Sequence, residues 1–242
     1  MLSCIFNDKF QNFKFYDIPK AQLILSDPPY ETSTNFYASR PDWYVDGDMS
    51  KGYSRKANTV AFESDNEPFN FNEFFDFCEA SLKPEPKKGE SDAPCVIIFC
   101  AFQQIPTAIQ EAEKYGFKKY TPLVFCKNYS PQVLKANMKI VGATEYALVL
   151  YRNKLPKFRN DGHMIFNWFE WKKETALRIH PAQKPVAVLK RLIKIYTDEG
   201  DVVIDPCAGS GTTLKAAKEL GRLGYGFEMD KEFFKKAEEL LW

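Results

Sequence analysis

Short apolar runs alternate with amphipathic stretches along most of the chain. The runs are rich in β-branched residues and end at turn residues, which is typical of buried strands in a parallel sheet. We predict strands at residues 2–6, 21–25, 94–99, 120–126, 145–151, 202–204 and 223–229. Apolar residues at helical spacing predict helices at residues 69–82, 107–115, 185–196, 212–220 and 231–241. This alternation predicts an α/β fold: a mostly parallel central sheet with helices on both faces and an antiparallel strand, 145–151, near one edge.

Two long segments interrupt this pattern within what we predict to be a single domain, residues 1–242. Residues 31–67 mix basic with aromatic side chains, which suits phosphate contact and base stacking, and we interpret them as a lid or nucleic-acid contact loop. Residues 127–178 are also basic and aromatic and form a candidate target-recognition region. The alternative for both segments is an ordinary surface. The candidate nucleic-acid contacts are Arg40, Arg55, Lys56, Lys127, Lys135, Lys139, Lys172, Lys173 and Arg178.

The composition limits the kinds of binding partner and the cellular compartments that are expected for this protein. The net charge is +1, so a nucleic-acid-binding protein of this composition must gather its positive charge on one face. We expect no membrane span and no signal peptide, because the chain has no apolar run of about 18 residues and no basic start followed by an apolar core. The six cysteines are scattered and form no CxxC pair. This predicts reduced thiols in the cytoplasm, with neither a disulfide framework nor a metal site.

The tetrapeptide Asp27-Pro28-Pro29-Tyr30 directly follows a predicted strand. The prolines cannot donate backbone hydrogen bonds, so the strand must end there, at the position where α/β sheets bind ligands. The Asp27 carboxylate and the Pro28 carbonyl can accept hydrogen bonds from an amine, and the Tyr30 ring can stack on a flat base. This set predicts a site for a flat ring that bears an exocyclic NH2 group. An ordinary Asp-Pro turn is the alternative.

A second motif, DVVIDPCAGSGTT at residues 201–213, combines a strand, a glycine turn and the start of a helix. Gly209 and Gly211 permit a tight turn and a close approach of the backbone to a ligand. No lysine follows the second glycine, which excludes the phosphate loop of an NTPase and leaves another nucleotide-type cradle. A glycine turn without a ligand is the alternative. The binding candidates in this glycine loop are Asp205, Pro206, Gly209, Ser210, Gly211, Thr212 and Thr213.

Together the two motifs resemble those of the S-adenosylmethionine-dependent amino-methyltransferases that modify adenine N6 or cytosine N4 in DNA. Their order, with the DPPY motif early and the glycine loop late, resembles the β-group of that family. The segment HPAQKP at residues 180–185 is similar to the family's HPxQKP motif. The pair Asn7-Asp8 is similar to a Gly-Asp pair of the family, with Asn7 in place of the glycine.

The resemblance implies a Rossmann-like methyltransferase fold, S-adenosylmethionine as the cofactor and no metal. It implies that Asp8 binds the adenine end of the cofactor and that Lys184 binds its methionyl carboxylate; a helix cap and an exposed lysine are the respective alternatives. Glu228 follows the glycine loop by about 20 residues, the spacing of an acid that binds ribose hydroxyls, with a helix cap as its alternative. The remaining cofactor-binding candidates are Asp27, His180, Gln183 and Pro185.

The resemblance also implies that Asp27, Pro28, Pro29 and Tyr30 hold a flipped base while its amine receives a methyl group. Asp at the first position favours adenine N6, because serine is usual there in the cytosine-N4 enzymes. The alternatives are a cytosine-N4 enzyme, an N-methyltransferase acting on RNA or a protein amide, and a catalytically inactive DNA-binding subunit. The expected partner is DNA in the cytoplasm of a bacterium, with the gene bacterial or phage-encoded. A homodimer and a partner restriction endonuclease are candidates that the sequence leaves open.

Overall fold

The computed structural model describes residues 3–30, 69–128, 132–135, 140–172 and 183–241, with the backbone alone for 132–135 and 140–141. The candidate lid at 31–67 lies outside the described residues. Within the described ranges no helix has both the length and the apolar character needed to cross a bilayer. The site candidates that also lie outside the described residues are Arg40, Arg55, Lys56, Lys139, Lys173, Arg178 and His180, together with the side chain of Lys135.

An eight-stranded sheet lies at the centre of the described structure. The described residues form ten strands in all: β1 (Cys4–Phe6), β2 (Leu23–Ser26), β3 (Cys95–Cys100), β4 (Lys119–Lys127), β5 (Gln132–Lys135), β6 (Ile140–Gly142), β7 (Thr144–Tyr151), β8 (Trp168–Trp171), β9 (Val202–Asp205) and β10 (Leu223–Phe227). Their order in the sheet is β1-β10-β9-β2-β3-β7-β4-β8, while β5 and β6 form a separate hairpin. The sheet therefore confirms the predicted α/β architecture.

Strand β7 runs antiparallel to both of its neighbours, β3 and β4. The other strands of the sheet share one direction, so the prediction of a mostly parallel sheet with an antiparallel strand near one edge is confirmed. Strand β4 has the direction expected from strand–helix–strand alternation, but β7 lies between it and β3. The register pairs Glu145 with Phe125 and Tyr146 with Cys100. The start of β7 therefore lies at the carboxyl ends of its neighbours.

Strand β8 is an element that the sequence pattern does not predict, because residues 152–178 read as irregular. Trp168 and Glu170 are exposed whereas Phe169 and Trp171 are buried, which is the period-two alternation of a strand. The pattern covers only four residues and is flanked by basic side chains, so its signal in the sequence is weak. The hairpin of β5 and β6 is also absent from the predicted elements.

Helices cover both faces of the sheet, as predicted. The helices are α1 (Phe71–Ser81), α2 (Ile105–Lys114), α3 (Val186–Tyr196), α4 (Thr212–Glu219) and α5 (Lys231–Leu241), and Phe10–Phe15 and Phe102–Gln104 are short 3-10 helices. Helices α1 and α2 pack on one face with Ile24 of β2, whereas α3 and α4 pack on the other face with Leu23 and Leu25. Cys95 and Cys100, at the two ends of β3, fall on opposite faces, as their spacing predicts.

Two cations of the predicted nucleic-acid region form ion pairs at the amino end of the sheet instead. Lys157 Nζ lies 2.7 Å from Asp201 Oδ2 and 2.8 Å from Asp198 Oδ2. Arg159 bridges Asp198 and Asp92, at 2.9 and 2.6 Å from its Nη2. Asp201 directly precedes β9, so this cluster lies opposite the edge where ligands bind in such sheets. Lys157 and Arg159 are therefore paired away from that edge, and the role of residues 127–178 as a target-recognition region stays a prediction.

Candidate active site

The carboxyl ends of the parallel strands bring both sequence motifs to one edge of the sheet. Strands β2 and β9 are neighbours, so Asp27, after β2, and Asp205, at the end of β9, lie at the same edge. Burial raises the pKa of Asp205 to about 7, and the nearby Asp27 charge adds to this rise. Strands β1 and β10 place Asp8 and Glu228 beside them. The antiparallel strand β7 begins at this edge and adds Glu145.

Within the described residues, the Asp27 carboxylate has two close polar partners. The Tyr30 hydroxyl donates a hydrogen bond to Oδ1 at 3.0 Å, and Lys184 Nζ lies 2.6 Å from Oδ2. Burial raises the pKa of Asp27; the Lys184 ammonium opposes this rise, and the Glu145 carboxylate adds to it. Protein atoms surround the carboxylate, yet 23% of the side chain is exposed. A ligand can therefore reach part of this residue.

Lys184 is buried between two carboxylates, with only 8% of its side chain exposed. Its Nζ lies 2.6 Å from Asp27 Oδ2 and 3.0 Å from Glu145 Oε2. Burial by itself would lower the pKa of Lys184, but the two carboxylates outweigh it and raise the pKa above its ordinary value. Three aromatic rings surround the ammonium at centroid distances of 4.9, 5.3 and 5.6 Å, those of Phe99, Tyr30 and Trp171.

This arrangement explains why a lysine stands at position 184, which the sequence alone does not explain. A cation just before helix α3 is opposed by the helix dipole, so its position in the sequence suggests that a ligand anion compensates it. The structure supplies the carboxylates of Asp27 and Glu145 as compensating charges. Binding of the cofactor carboxylate by Lys184 stays a prediction.

Glu145 is the member of the site that the sequence analysis misses. Its Oε1 pairs with Lys127 Nζ and its Oε2 with Lys184, and 17% of its side chain is exposed. Burial alone would raise the pKa of Glu145, but the Lys184 and Lys127 ammonium groups together hold it below its usual range. The signal in the sequence is an acidic residue that opens an otherwise apolar strand, EYALVLY. Only the antiparallel pairing of β7 shows that this residue faces the site.

Lys127, a candidate DNA contact, also belongs to this cluster, and its role in DNA binding stays a prediction. Only 11% of its side chain is exposed, and its ammonium pairs with Glu145 and lies 5.0 Å from the centroid of the Trp171 ring. A lysine that is already paired and largely desolvated is poorly placed to bind a phosphate at the surface. Lys172, by contrast, is 73% exposed and lies 3.4 Å from Glu170 Oε2. It remains a candidate DNA contact.

The glycine loop between β9 and α4 has the backbone geometry that its two glycines suggest. Gly209 and Gly211 have φ angles of +50° and +72°, in the left-handed region that favours glycine. A Cβ at Gly211 would lie 3.0 Å from Ala237 Cβ, whereas a Cβ at Gly209 would meet open space. Gly211 therefore lets α5 approach the loop, and Gly209 leaves one side of it accessible.

Glu228 is bound to this loop by its side chain. Its Oε2 accepts a hydrogen bond from the Gly209 amide at 2.8 Å, and its Oε1 accepts one from the Asp230 amide at 2.8 Å. Burial raises the pKa of Glu228. The alternative role as the cap of the closing helix falls to Asp230, whose Oδ1 accepts from the amides of Glu232 and Phe233 at the start of α5.

Asp8 lies at the end of β1 beside this loop. Its Oδ1 accepts hydrogen bonds from the Lys9 amide and the Asn12 side chain, and its Oδ2 accepts one from the Tyr16 hydroxyl. These bonds lower the pKa of Asp8, with those from the Asn12 and Tyr16 side chains contributing most. The capping residue of the 3-10 helix at Phe10–Phe15 is Lys9, so the alternative of Asp8 as the helix cap is not observed.

The remaining described candidates lie close to these elements. Pro185 is the N-cap of α3 and directly follows Lys184, and Gln183 is half-buried. In the glycine loop, the Ser210 and Thr212 hydroxyl oxygens lie 2.6 Å apart. The other loop candidates, Pro206 and Thr213, are buried. The structure therefore brings the described catalytic and cofactor-binding candidates to one edge of the sheet.

The chain matches the model of a known protein family over most of its length. A family model described as DNA methylase matches residues 21–239. The chain belongs to the DNA methylase family. The family covers enzymes that methylate adenine at N6 and cytosine at N4, which confirms the resemblance drawn from the sequence motifs.

Two relatives in the DNA methylase family match the chain over different lengths. The DNA adenine methyltransferase YhdJ of Escherichia coli is 26% identical over 96% of the chain, which spans 79% of that relative. The Type II methyltransferase M2.DpnII of Streptococcus pneumoniae is 41% identical over 38% of the chain and 35% of its own length. The second match is therefore local.

Solved structures share the fold over the whole chain. The structure of M1.HpyAVI in complex with SAM is 21% identical, with a TM-score of 0.68 and complete coverage of both chains. The PvuII DNA methyltransferase, which is cytosine-N4-specific, is 14% identical, with a TM-score of 0.68 over 100% of this chain and 87% of its own. These similarities confirm the Rossmann-like methyltransferase fold.

Proposed function

We propose that this protein transfers a methyl group from S-adenosylmethionine to the N6 amine of a flipped adenine in DNA. The proposal rests on one observation: the DPPY segment and the glycine loop lie next to each other at one edge of the sheet. The segment Asp27-Pro28-Pro29-Tyr30 follows β2, and the glycine loop follows the neighbouring strand β9. A base amine held at Asp27 and a methyl donor held at the glycine loop would lie side by side, as direct transfer requires.

The groups around the glycine loop fit the cofactor that M1.HpyAVI binds in its SAM complex. Asp8 and Glu228 offer carboxylate oxygens, which suit the amine of an adenine and the hydroxyls of a ribose. The open space beside Gly209 allows a ligand to approach the backbone. When bound, S-adenosylmethionine would supply an electrophilic methyl group on its sulfonium.

Asp27 would orient the accepting amine. The nitrogen of an aromatic NH2 group shares its lone pair with the ring and is a weak nucleophile. Hydrogen bonds from this NH2 to the Asp27 carboxylate and the Pro28 carbonyl would strengthen as the nitrogen becomes tetrahedral, which favours the transition state. A carboxylate has about four lone-pair sites, so Asp27 can accept the amine and still keep its contacts with Tyr30 and Lys184.

The target base would have to leave the double helix to reach Asp27. Enzymes that act on a base turn it out of the stack, because the reacting atom is otherwise inaccessible. The Tyr30 ring lies beside Asp27 and Lys184 in the site. Its face would replace part of the stacking that the flipped base loses.

The choice of adenine rests on Asp27 at the first position of the tetrapeptide and on the relative YhdJ, which is named a DNA adenine methyltransferase. The fold neighbour from the PvuII system is cytosine-N4-specific, so cytosine N4 is the second candidate. Both bases present an exocyclic NH2 group beside a ring nitrogen, and the geometry around Asp27 suits either.

DNA treated with the purified protein should contain N6-methyladenine. Unmethylated DNA is incubated with S-adenosylmethionine that carries an isotopically labelled methyl group, then digested to nucleosides and analysed by mass spectrometry. N4-methylcytosine as the main labelled product would show that the target is cytosine N4 and not adenine N6. RNA and protein are incubated in the same way in parallel. Label in either of them but not in DNA would overturn DNA as the substrate.

Glu228→Gln should weaken the affinity for S-adenosylmethionine by about 1–3 kcal/mol, as expected for a lost charge-assisted hydrogen bond. Glutamine keeps the shape of the side chain and one acceptor oxygen, so it can keep one of the two hydrogen bonds from the Gly209 and Asp230 amides, and circular dichroism checks the fold. Titration calorimetry measures the affinity, and Glu239→Gln on the exposed side of α5 is the matched control. Equal affinities of the two variants would contradict the role of Glu228 in ribose binding.

We extend the proposal to the partners of the protein. DNA would bind on the face that carries Lys172, and the protein would act in the cytoplasm. The name Type II methyltransferase of several relatives supports a restriction endonuclease as a partner. A homodimer stays an open candidate.

A further inference from the structure

Four charged side chains form an alternating chain that begins at Lys127 and ends at Asp27. Lys127 pairs with Glu145 Oε1, Glu145 Oε2 lies 3.0 Å from Lys184 Nζ, and Lys184 Nζ lies 2.6 Å from Asp27 Oδ2. The exposed fractions of the first three side chains are 11%, 17% and 8%. Water and salt therefore screen these contacts only weakly. The two ammonium groups balance the two carboxylates.

We propose that Glu145 and Lys127 are positioning residues, which set the ionisation of Asp27 through the way Lys184 divides its contacts between Glu145 and Asp27. This inference rests on the proposed function, in which an ionised Asp27 accepts a hydrogen bond from the target amine. A protonated Asp27 would present a donor where an acceptor is needed. The network of Lys127, Glu145, Lys184 and Asp27 would thus set the pH range in which Asp27 can accept a hydrogen bond from the target amine.

Loss of the Glu145 charge should lower the pKa of Asp27 for two reasons. The Glu145 carboxylate disfavours the ionised form of Asp27, and its removal ends this repulsion. Lys184 also loses its second carboxylate and then keeps Asp27 as its ion-pair partner among the described residues. Both effects stabilise the ionised Asp27, so the active form should extend to lower pH.

Loss of the Lys127 charge should have the opposite effect. Glu145 would then keep Lys184 as its only ion-pair partner among the described residues, and would attract that ammonium more strongly. Asp27 would lose part of its stabilising counter-charge, so its pKa should rise. If Glu145 and Lys127 did not act on Asp27, neither substitution would move the Asp27 midpoint, and the pH profile of methyl transfer would stay the same.

The other groups that face Asp27 stay unchanged in these variants. They are the Tyr30 hydroxyl, the Asp205 carboxyl of β9, the Cys100 thiol of β3 and the Cys207 thiol after β9. Burial raises the pKa of Cys100 to about 12 and that of Cys207 well above its ordinary value, so both thiols are neutral near pH 7. Asp205, with a pKa of about 7, titrates in the same range and has to be distinguished from Asp27.

The test compares the parent with Glu145→Gln, Lys127→Met and the double variant, each as the full chain. Carboxyl NMR of protein labelled with 13C-aspartate follows the titration from about pH 4 to 9, the range for raised carboxyl pKa values. The Asp27 signal is the one that Asp27→Asn removes. Methyl transfer to DNA is measured over the same pH range.

We expect the Asp27 midpoint to fall in Glu145→Gln and to rise in Lys127→Met, each by about one pH unit, as for the gain or loss of a nearby charge. Methyl transfer needs the ionised form, so the acidic limb of its pH profile should move in the same direction as the midpoint. The double variant should titrate below the parent and close to Glu145→Gln, because Lys127 acts on Asp27 through the Glu145 charge, which both variants lack.

Shifts in the same direction, or no shift in either single variant, would overturn the proposal. Circular dichroism checks that each variant is folded. If a charge imbalance unfolds a single variant, the charge-balanced double variant must still fold and must titrate at Asp27 below the parent, and its failure to do so would also overturn the proposal. A parent protein that methylates no DNA would refute the proposed function, whereas the NMR titration would still decide whether the network acts on Asp27.

Discussion

Asp27→Asn should reduce the rate of methyl transfer by about 10²- to 10³-fold, the range for removing one preorganised polar group from a reaction site. Asparagine preserves the shape of the side chain but removes the negative charge that would accept a hydrogen bond from the target amine. Binding of S-adenosylmethionine should change little, since Asp8, Glu228 and the glycine loop are intact. Single-turnover rates and titration calorimetry measure the two quantities separately.

The control for this variant is Asp76→Asn, on the exposed side of α1. Lys184 keeps Glu145 as a counter-charge when Asp27 is neutral, so the Asp27 variant should remain folded. Activity of Asp27→Asn close to that of the control would show that Asp27 does not orient the amine. A parallel loss of cofactor affinity would move Asp27 from the acceptor site to the cofactor site.

Lys184→Met should lower the free energy of unfolding at neutral pH by about 3 kcal/mol, the lower end of the range for breaking a buried ion pair. The substitution leaves Asp27 without its ammonium partner and Glu145 with Lys127 alone. Methionine fills a similar volume among the surrounding rings, so lost packing should contribute little. Urea denaturation monitored by circular dichroism measures the difference.

This loss should depend on pH in a defined direction. Without Lys184, the pKa of Asp27 in the folded protein should rise further above its unfolded value, so folding takes up a proton at neutral pH. The penalty should therefore shrink as the pH falls towards the ordinary carboxyl pKa, because protonated Asp27 needs no counter-charge. The exposed Lys194→Met on α3 is the matched control. An equal penalty at neutral and acidic pH would contradict the electrostatic role of Lys184.

The same variant separates two roles of Lys184. The resemblance predicts that Lys184 binds the cofactor carboxylate, whereas the structure pairs it with Asp27 and Glu145. A role at the cofactor alone would weaken S-adenosylmethionine binding and leave the Asp27 titration unchanged. A role as the counter-ion of Asp27 moves that titration, whether or not the cofactor affinity changes.

Sequence patterns predict the elements that position the DPPY segment and the glycine loop, because the backbone constraints of their prolines and glycines are local. Proline has no amide hydrogen, so Pro28 and Pro29 end β2 wherever the strand lies in the sheet. Glycine alone adopts positive φ without strain, which defines the turn at Gly209 and Gly211. The spacing of the apolar residues likewise predicts α1 and α5 to within two residues of their observed ends.

The strands, the helices, the two motifs and the chemistry that each motif can support follow from the sequence, since each depends on neighbours in the chain. The cluster of Lys127, Glu145 and Lys184 with Asp27 is visible in the folded protein alone. These residues come from distant segments, and they meet because β7 inserts antiparallel between β3 and β4. The order of the strands in the sheet depends on hydrogen bonds between distant segments, and no local pattern encodes the position of β7 between β3 and β4. The same cause turned Lys127 from an expected surface cation into a buried ion-pair partner.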